Sequence, residues 1–318
     1  MIIINDISQA VDALTSGKLC AIPTETVYGL AANALDESAV ARVFIAKDRP
    51  QDHPLIVHVA ATEDVNDWIV ELPKWAHELT KAVWPGPLTV VGQRTGLASD
   101  LVTGNQDTVA VRVPSHPVAQ DLLRELKAKG VKGLVAPSAN RFGHVSPTSA
   151  SHVFADLGEY LASNGDLILD GGNCSVGLES TIVLTTGPQP VILRPGALTS
   201  SDIEQITGLN VLQEASDVPR VSGALDSHYS PRAQVILIAD TSAIVPGSAT
   251  GFLALAEVAS PAGVTRLGSP ATIEDFAHDL YGCLRAGDDL ELAKIYVVPP
   301  VGQGLAQAIN DRLNRAAF

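Results

Sequence analysis

The side chains best placed to do chemistry are cations and hydroxyls at the ends of short apolar runs. Lys47 and Arg49 lie in AKDRPQDHPLIVH, residues 46–58, at the end of a predicted helix that is followed at once by a strand. Cations there can complement the helix dipole, or they can face phosphate oxygens, Arg49 as a planar fork and Lys47 as a point charge. In the following strand His58 shares a face with Ile56 and Ala60, opposite Leu55, Val57 and Val59; such a histidine suits a satisfied core position as well as a ligand contact. In TVAVRVP, 108–114, alternation sets Thr108, Ala110 and Arg112 on one face and Val109, Val111 and Val113 on the other. Arg112 is then either a fork for a carboxylate ligand or a solvated arginine on a half-exposed sheet.

Hydroxyls cluster in PTETVYGL, 23–30, directly after the apolar run 19–22. The threonines either satisfy local turn backbone or line a site at the carboxyl end of a strand, where open α/β sheets bind ligands. GLVAPSANRFGHVSPTSASHV, 133–153, ends a predicted strand in Ser138 and Asn140, and its Ser146 is predicted to cap a helix with Pro147 at the first position. A helix start of that kind is an ordinary cap or an anion site. LDGGNCSVGLESTIV, 169–183, joins a glycine-rich turn to a strand opening with Ser180 and Thr181, and ILRPGAL supplies Arg194 just after a further strand.

Several chemistries lack their signatures. No GxxxxGK[ST], GxSxG, HExxH or GxGxxG occurs. Cys20, Cys174 and Cys283 are odd in number, far apart and form no CxxC pair, so neither a disulfide framework nor a zinc knuckle is expected. The net charge of -14 argues against a broad nucleic-acid surface, although a small anion in a locally basic pocket fits. No apolar run approaches the ~20 residues of a membrane helix, and the amino-terminal stretch lacks a secretory signature, so a cytoplasmic protein with no membrane contact is expected.

These residues need a scaffold that 318 residues can supply. Short β-branched runs at 54–60, 87–93, 108–114, 133–140, 167–172 and 180–186 alternate with helical patterns, which predicts an α/β domain over residues 1–212 with mixed strand directions. Asp6 and Asp36 are expected helix caps. Residues 213–232, rich in Ser, Pro and Asp, form a predicted linker or lid. Over 233–318, three buried parallel strands and the amphipathic stretches TIEDFAHDLYGCLRAG and GLAQAINDRLNRAAF predict a small three-layer, Rossmann-like α/β unit.

Together PTETVYGL, KDRPQDHPLIVH, WPGPLTV, TVAVRVP, PSANRFGHVSPTSA, ILDGGNCSVGLESTIV and LRPGAL resemble, in order and spacing, the threonylcarbamoyl-AMP synthase family of the YrdC/YciO type. SHYSPRA and GLAQAINDRLNRAA are similar to its long, two-domain form. The resemblance implies an open, twisted mixed sheet with helices around a concave ligand cavity. It implies an enzyme, a nucleotidyltransferase, that makes L-threonylcarbamoyl-AMP and pyrophosphate from L-threonine, bicarbonate or CO2, and ATP, with Mg²⁺ brought by ATP and no metal ligands from the protein. A separate tRNA-modifying transferase complex would consume the product, and no stable nucleic-acid binding is expected. Carried over by motif, Thr26, His58, Thr108, Arg112, Ala136 and Ser180 would hold threonine or its carbamate. Arg49, His53, Ser138, Asn140, Ser146, Arg194 and Tyr229 would contact ATP, with Lys47 and Arg49 closest to the chemistry. Two stretches depart from the family's usual pattern: the residues before His228–Tyr229, and the polar VVGQRT after PGPLT. The alternatives are an RNA-binding module or a carbamoyl-adenylate-forming relative.

Overall fold

Apolar runs bounded by proline, glycine or polar residues become strands, and helical patterns behind a capping side chain become helices. The computed structural model describes residues 2–212, 218–223 and 228–318; residues 213–217 and 224–227 of the predicted linker lie outside the described residues. The strands of the first sheet are β1 (Ile3–Ile4), β2 (Cys20–Ile22), β3 (Gly29–Asn33), β4 (Ile56–His58), β5 (Leu88–Gln93), β6 (Thr108–Arg112), β7 (Leu134–Val135), β8 (Leu167–Leu169), β9 (Thr181–Leu184) and β10 (Val191–Arg194). Around them run α1 (Ile7–Thr15), α2 (Glu37–Lys47), α3 (Val65–Trp68), α4 (Lys74–Val83), α5 (Asp100–Thr103), α6 (Pro117–Ala128), α7 (Ala150–Asn164) and α8 (Ser200–Thr207). Asp6 caps α1 by accepting from the Ser8 amide, and Asp36 caps α2 by accepting from the Ser38 and Ala39 amides, as predicted.

The sheet runs β1-β8-β2-β3-β7-β4-β6-β5-β9-β10. β4 and β6 are parallel, as are β5 and β9, whereas β5–β6 and β9–β10 are antiparallel; this is the mixed sheet expected from short connections. Register then does the positioning. His58 lies opposite Arg112, Arg112 opposite Thr89, Thr89 beside Ile182, and Ile182 beside Arg194. One transverse row thus carries His58, Arg112 and Arg194 to the same face. The alternate residues Val57, Val111, Val90 and Val183 point the other way into the main core, so the sequence alternation is realised on both sides. In the VVGQRT stretch that ends β5, Gly92 packs so tightly on Ile69 that a Cβ would come within 2.6 Å of it. Beyond that point Arg94 pairs with Asp100 at 2.7 Å and braces α5.

One predicted helix start is corrected. Ser146 does not cap a helix; α7 begins at Ala150, and its N-cap is Ser149, whose hydroxyl accepts from the His152 amide. Residues 145–148 stay non-helical because their backbone is used elsewhere: the Tyr28 amide donates to the Pro147 carbonyl and the Cys174 amide to the Thr148 carbonyl. The Ser146 hydroxyl goes instead to the Glu179 carboxylate, 2.6 Å away.

The second sheet comprises β11 (Gln234–Leu237), β12 (Thr250–Leu253), β13 (Thr265–Gly268) and β14 (Lys294–Val297), all parallel in the order β11-β14-β12-β13. β13, whose exposed and half-buried residues give no apolar run, was not foreseen. Helices α9 (Ile273–Asp289) and α10 (Leu305–Ala316) cover the face carrying Val235, Ile295 and Val297. The opposite face, with Phe252 and Tyr296, is covered by connecting segments around Ile244, Val258 and Val264 rather than by helices. The unit is Rossmann-like in its parallel strands but has helices on one face only, because the 238–249 and 254–264 crossovers are too short and too rich in Pro, Gly and Ser for more than one 3₁₀ turn. The helical side packs against the first domain: Val27, Val145 and Leu178 share a core with Phe276, Leu280 and Ile309. At Gly177 (φ 80°) a Cβ would lie 2.5 Å from the His278 carbonyl oxygen, so only glycine permits this approach.

Candidate active site

The cavity is built where the carboxyl ends of β4 and β6, the loop after β2 and the start of β9 converge. It encloses about 540 Å³, counting its open mouth. Of the predicted residues, Thr26, His58, Arg112, Ala136, Ser180, Arg49, Ser138, Arg194 and Tyr229 all line it. Ile56, Glu179, Ser222, Gly223 and His228 also line it, and Thr24, Val27, Gly29 and Pro137 complete its wall.

PTETVYGL divides its two threonine roles. Thr24 serves the turn: its Oγ1 accepts from the Thr26 and Val27 amides and donates to the Val27 carbonyl at 2.6 Å. That consumes its proton, so Thr26 is the donor in the 2.8 Å contact between the two hydroxyls. Thr26 Oγ1 in turn accepts from Arg112 Nη1 at 2.8 Å. Glu25, missed in the sequence, is 3% exposed and sits 2.8 Å from Arg112 Nη2, a close ion-pair contact whose angles fall outside hydrogen-bond geometry. Burial opposes ionisation of Glu25, but the adjacent charge of Arg112 outweighs it and lowers its pKa. The loop therefore sets Arg112 from behind, leaving its Nε, buried and unpartnered, for the cavity.

Ser180 is held from two sides: by Thr89 Oγ1 at 2.7 Å and by Arg194, whose Nη2 donates to Ser180 Oγ at 3.2 Å and to its carbonyl at 2.8 Å. Arg194 Nη1 donates to the Ser222 carbonyl at 2.9 Å, and Arg49 Nη2 to Ser222 Oγ at 3.1 Å. Ser222 thus touches two of the three cavity arginines. Arg49 Nε, His228 Nδ1 and Tyr229 Oη are buried without partners; so many orphaned polar atoms around one cavity indicate groups that a polar ligand completes. Tyr229 adopts φ 62°, its ring 4.1 Å from that of His228 and 5.5 Å from that of Tyr281. Gly223 makes room for it, since a Cβ there would lie 2.3 Å from Tyr229 Oη.

Five predicted residues lie off the lining. Lys47, 1% exposed, gives its ammonium to the Ser138 and Asn140 carbonyls and so fixes the loop that presents Ser138. Burial, followed by the charge of Arg49, pushes its pKa well down. Asn140 stitches the same loop through bonds to the Arg141 and His144 carbonyls at 2.7 and 2.8 Å, with Oδ1 unpartnered. His53 packs edge-on against Phe142, ring centroids 5.3 Å apart. Thr108 shares the face of Arg112 but borders a neighbouring hollow beneath Val221, and Ser146 stands behind Glu179. Among the described residues, no group of three His, Cys, Asp or Glu side chains could hold a metal, and no helix is long and apolar enough to cross a membrane.

The site also fixes a pH response. Burial pushes His58 and His228 down to about 3, with Arg112 adding to the effect at His58 and Lys47, Arg49 and Arg194 at His228. His58 is therefore neutral, its Nδ1–H donating to the Ile56 carbonyl at 3.1 Å and its Nε2 left as an acceptor. Both pKa values lie below the 6.5 of a free histidine, so the unfolded chain binds more protons between those limits. The stability they contribute is complete above pH 6.5 and drains as pH falls towards 3, by up to ~1.4 kcal/mol per histidine per pH unit. Thermal unfolding followed by circular dichroism should show the melting temperature falling steadily from about pH 7 to about pH 5. His58→Gln should flatten that slope; an equal slope in both proteins rules the assignment out.

Comparison with known proteins places both domains in one family. The family model described as "Telomere recombination", covering the Sua5, YciO and YrdC proteins, matches residues 12–196. A second, "Threonylcarbamoyl-AMP synthase, C-terminal domain", matches residues 198–318. The threonylcarbamoyl-AMP synthase of Pyrococcus abyssi is 38% identical over 96% of this chain and 92% of its own length. That of Bacillus subtilis is 36% identical over 98% and 92%. The crystal structure of P. abyssi Sua5 complexed with L-threonine superposes with a TM-score of 0.87 and 36% identity, over 100% of this chain and 98% of that one. Agreement across both domains, at that identity and in three dimensions, makes this chain a member of the two-domain threonylcarbamoyl-AMP synthase family.

Proposed function

We propose that this protein is a nucleotidyltransferase that condenses L-threonine, bicarbonate or CO2, and ATP into L-threonylcarbamoyl-AMP and pyrophosphate. The neutral amine of threonine adds to CO2 and loses a proton, giving a carbamate. A carbamate oxygen then attacks the α-phosphorus of ATP in line, forming a new O–P bond, and pyrophosphate leaves with the α,β-bridging oxygen as the bond from that oxygen to the α-phosphorus breaks. ATP enters as its Mg²⁺ complex, the metal carried on phosphate oxygens. The product goes to a tRNA-modifying threonylcarbamoyl transferase complex in the cytoplasm, so no tight nucleic-acid contact is required of this chain.

The observation that carries the reading is the convergence of Arg49, Arg112 and Arg194 with Thr26 and Ser180 in one cavity. Arg112, set by Glu25 and Thr26, offers its free N–H groups to the threonine carboxylate. Ser180 and Thr26, which line the same cavity, would meet the threonine hydroxyl, and the small Ala136 would leave room for its methyl. Arg49, Ser138, Arg194 and Tyr229 would face the phosphates as charge develops, and stabilisation there would come mainly from positioned donors. Lys47 and Asn140 act by holding the Ser138 loop, while His53 and Ser146 sit one layer behind.

The test is pyrophosphate release from ATP, Mg²⁺ and bicarbonate by the purified chain, with and without L-threonine. Threonine-dependent release is expected. Serine should be disfavoured only modestly, since one methyl is worth about 1–3 kcal/mol, and valine more strongly because it leaves hydroxyl partners unpaired. Release that ignores threonine, or that requires carbamoyl phosphate, would replace this reading with a carbamoyl-adenylate one.

A further inference from the structure

The C-terminal domain touches the cavity wall through a fully buried cation. Arg312, on α10, is 0% exposed. Its Nε donates to Glu179 Oε2 at 3.0 Å and its Nη2 to the Pro195 carbonyl at 2.9 Å. Tyr281, on α9, also donates to Glu179 Oε2, at 2.8 Å, and Ser146 donates to Glu179 Oε1 at 2.6 Å. Asp311 takes the Nη1 side of Arg312 at 2.6 Å, but it is shared with Arg315 at 2.9 Å. The Arg312 guanidinium also lies over the ring of Tyr229, 5.3 Å from its centroid.

Glu179 is the acidic side chain among the described residues lining the cavity, where it stands with Ser180, Arg194 and Tyr229. A free carboxylate at that position would repel a polyphosphate through a poorly screened interior. Here its oxygens are engaged by donors on the far side, two of them from the C-terminal domain. We propose that Arg312 is a positioning residue which the C-terminal domain contributes to the active site: by neutralising Glu179 it keeps the cavity receptive to the polyphosphate of ATP. The inference rests on the synthase reading above for the identity of that anion. It gives the second domain a chemical task in the first, and it places that task on ATP rather than on threonine, whose expected partners Thr26, His58, Arg112 and Ser180 accept no hydrogen bond from Arg312.

Three variants of the full chain test it: Arg312→Gln, Glu179→Gln, and the two combined. Calorimetric ATP binding and the separate KM values for ATP and threonine are the readouts. Arg312→Gln should weaken ATP binding about tenfold or more, the consequence of leaving a buried charge unpaired, while KM for threonine moves less than about twofold. Adding Glu179→Gln should restore ATP affinity to within about threefold of wild type, because the repelling charge is gone. If Arg312→Gln does not fold, the double variant should still fold and bind ATP within that limit. Equal losses for both substrates, or a double variant as weak as Arg312→Gln alone, overturns the proposal and leaves Arg312 a domain-docking residue. A wild-type chain that binds ATP and releases pyrophosphate while Arg312→Gln changes neither overturns the inference alone. A wild-type chain that binds no ATP overturns both the inference and the synthase reading.

Discussion

Replacing Arg49 by alanine should cut threonine-dependent pyrophosphate release by about a hundred- to a thousandfold while lowering the melting temperature by only a few degrees. The guanidinium is 7% exposed, yet its structural commitments are few. Nη2 donates to the Pro54 carbonyl at 3.0 Å and to Ser222 Oγ at 3.1 Å, and the group lies 5.6 Å from the Phe142 centroid. Removing it does not orphan the carbonyl, because Ser222 Oγ donates to the same oxygen at 2.8 Å. What is lost is a positive charge facing the cavity, one that burial lowers only to about 10, so that it stays protonated at neutral pH. Arg49→Lys should fall between the two proteins, keeping the charge but losing the fork. Near-normal turnover in well-folded Arg49→Ala would remove Arg49 from the chemistry.

Arg112→Met should fail differently, losing stability as well as activity. Arg112 is 4% exposed and is the counter-ion of Glu25, also buried. Removing one partner of such a pair strands the other charge, at a cost of about 3–5 kcal/mol. The pH dependence distinguishes this from simple loss of packing. Glu25 has its pKa lowered below 4.5 in the fold, so the stability it contributes with Arg112 is present above pH 4.5 and is lost as pH falls below it. In the variant the stranded carboxyl can escape its penalty by taking up a proton. The melting-temperature gap between the two proteins should therefore be widest at neutral pH and narrow as the solution is acidified. Glu25→Gln/Arg112→Met should recover much of the stability and none of the activity. A gap independent of pH would mean that Arg112 supports the fold mainly by packing.

The contrast between these arginines shows what kind of information the chain carries locally. Arg112 was placed by period-2 alternation in TVAVRVP, which puts it on the face opposite three core valines. The same rule placed His58. Thr26 was legible as one of two candidates, but which threonine serves the turn and which faces Arg112 depends on hydrogen bonds that spacing does not encode. Lys47 was read as a cation at a helix end that either complements the dipole or faces phosphate, yet its ammonium reaches carbonyls 91 and 93 residues away rather than the cavity. Ser146 had the right sequence for a cap, and local propensity lost to the pairing of residues 145–148 with two distant amides.

By itself the sequence determined many of the strands and the longer helices, though not β13 or the start of α7, the faces on which His58 and Arg112 project, the caps at Asp6 and Asp36, and, through seven ordered motifs, the family. These follow from local periodicity and turn chemistry, whose energies act over a few residues. Only the tertiary structure decided that Glu25 sets Arg112, that Thr89 sets Ser180, that Ser222 bridges Arg49 and Arg194, and that the second domain lays Arg312 against Glu179 across 133 residues of chain. Each of these contacts pairs a polar group that burial would otherwise leave unsatisfied. Which partner satisfies it is settled by how the two sheets pack, and no local pattern in the sequence records that choice.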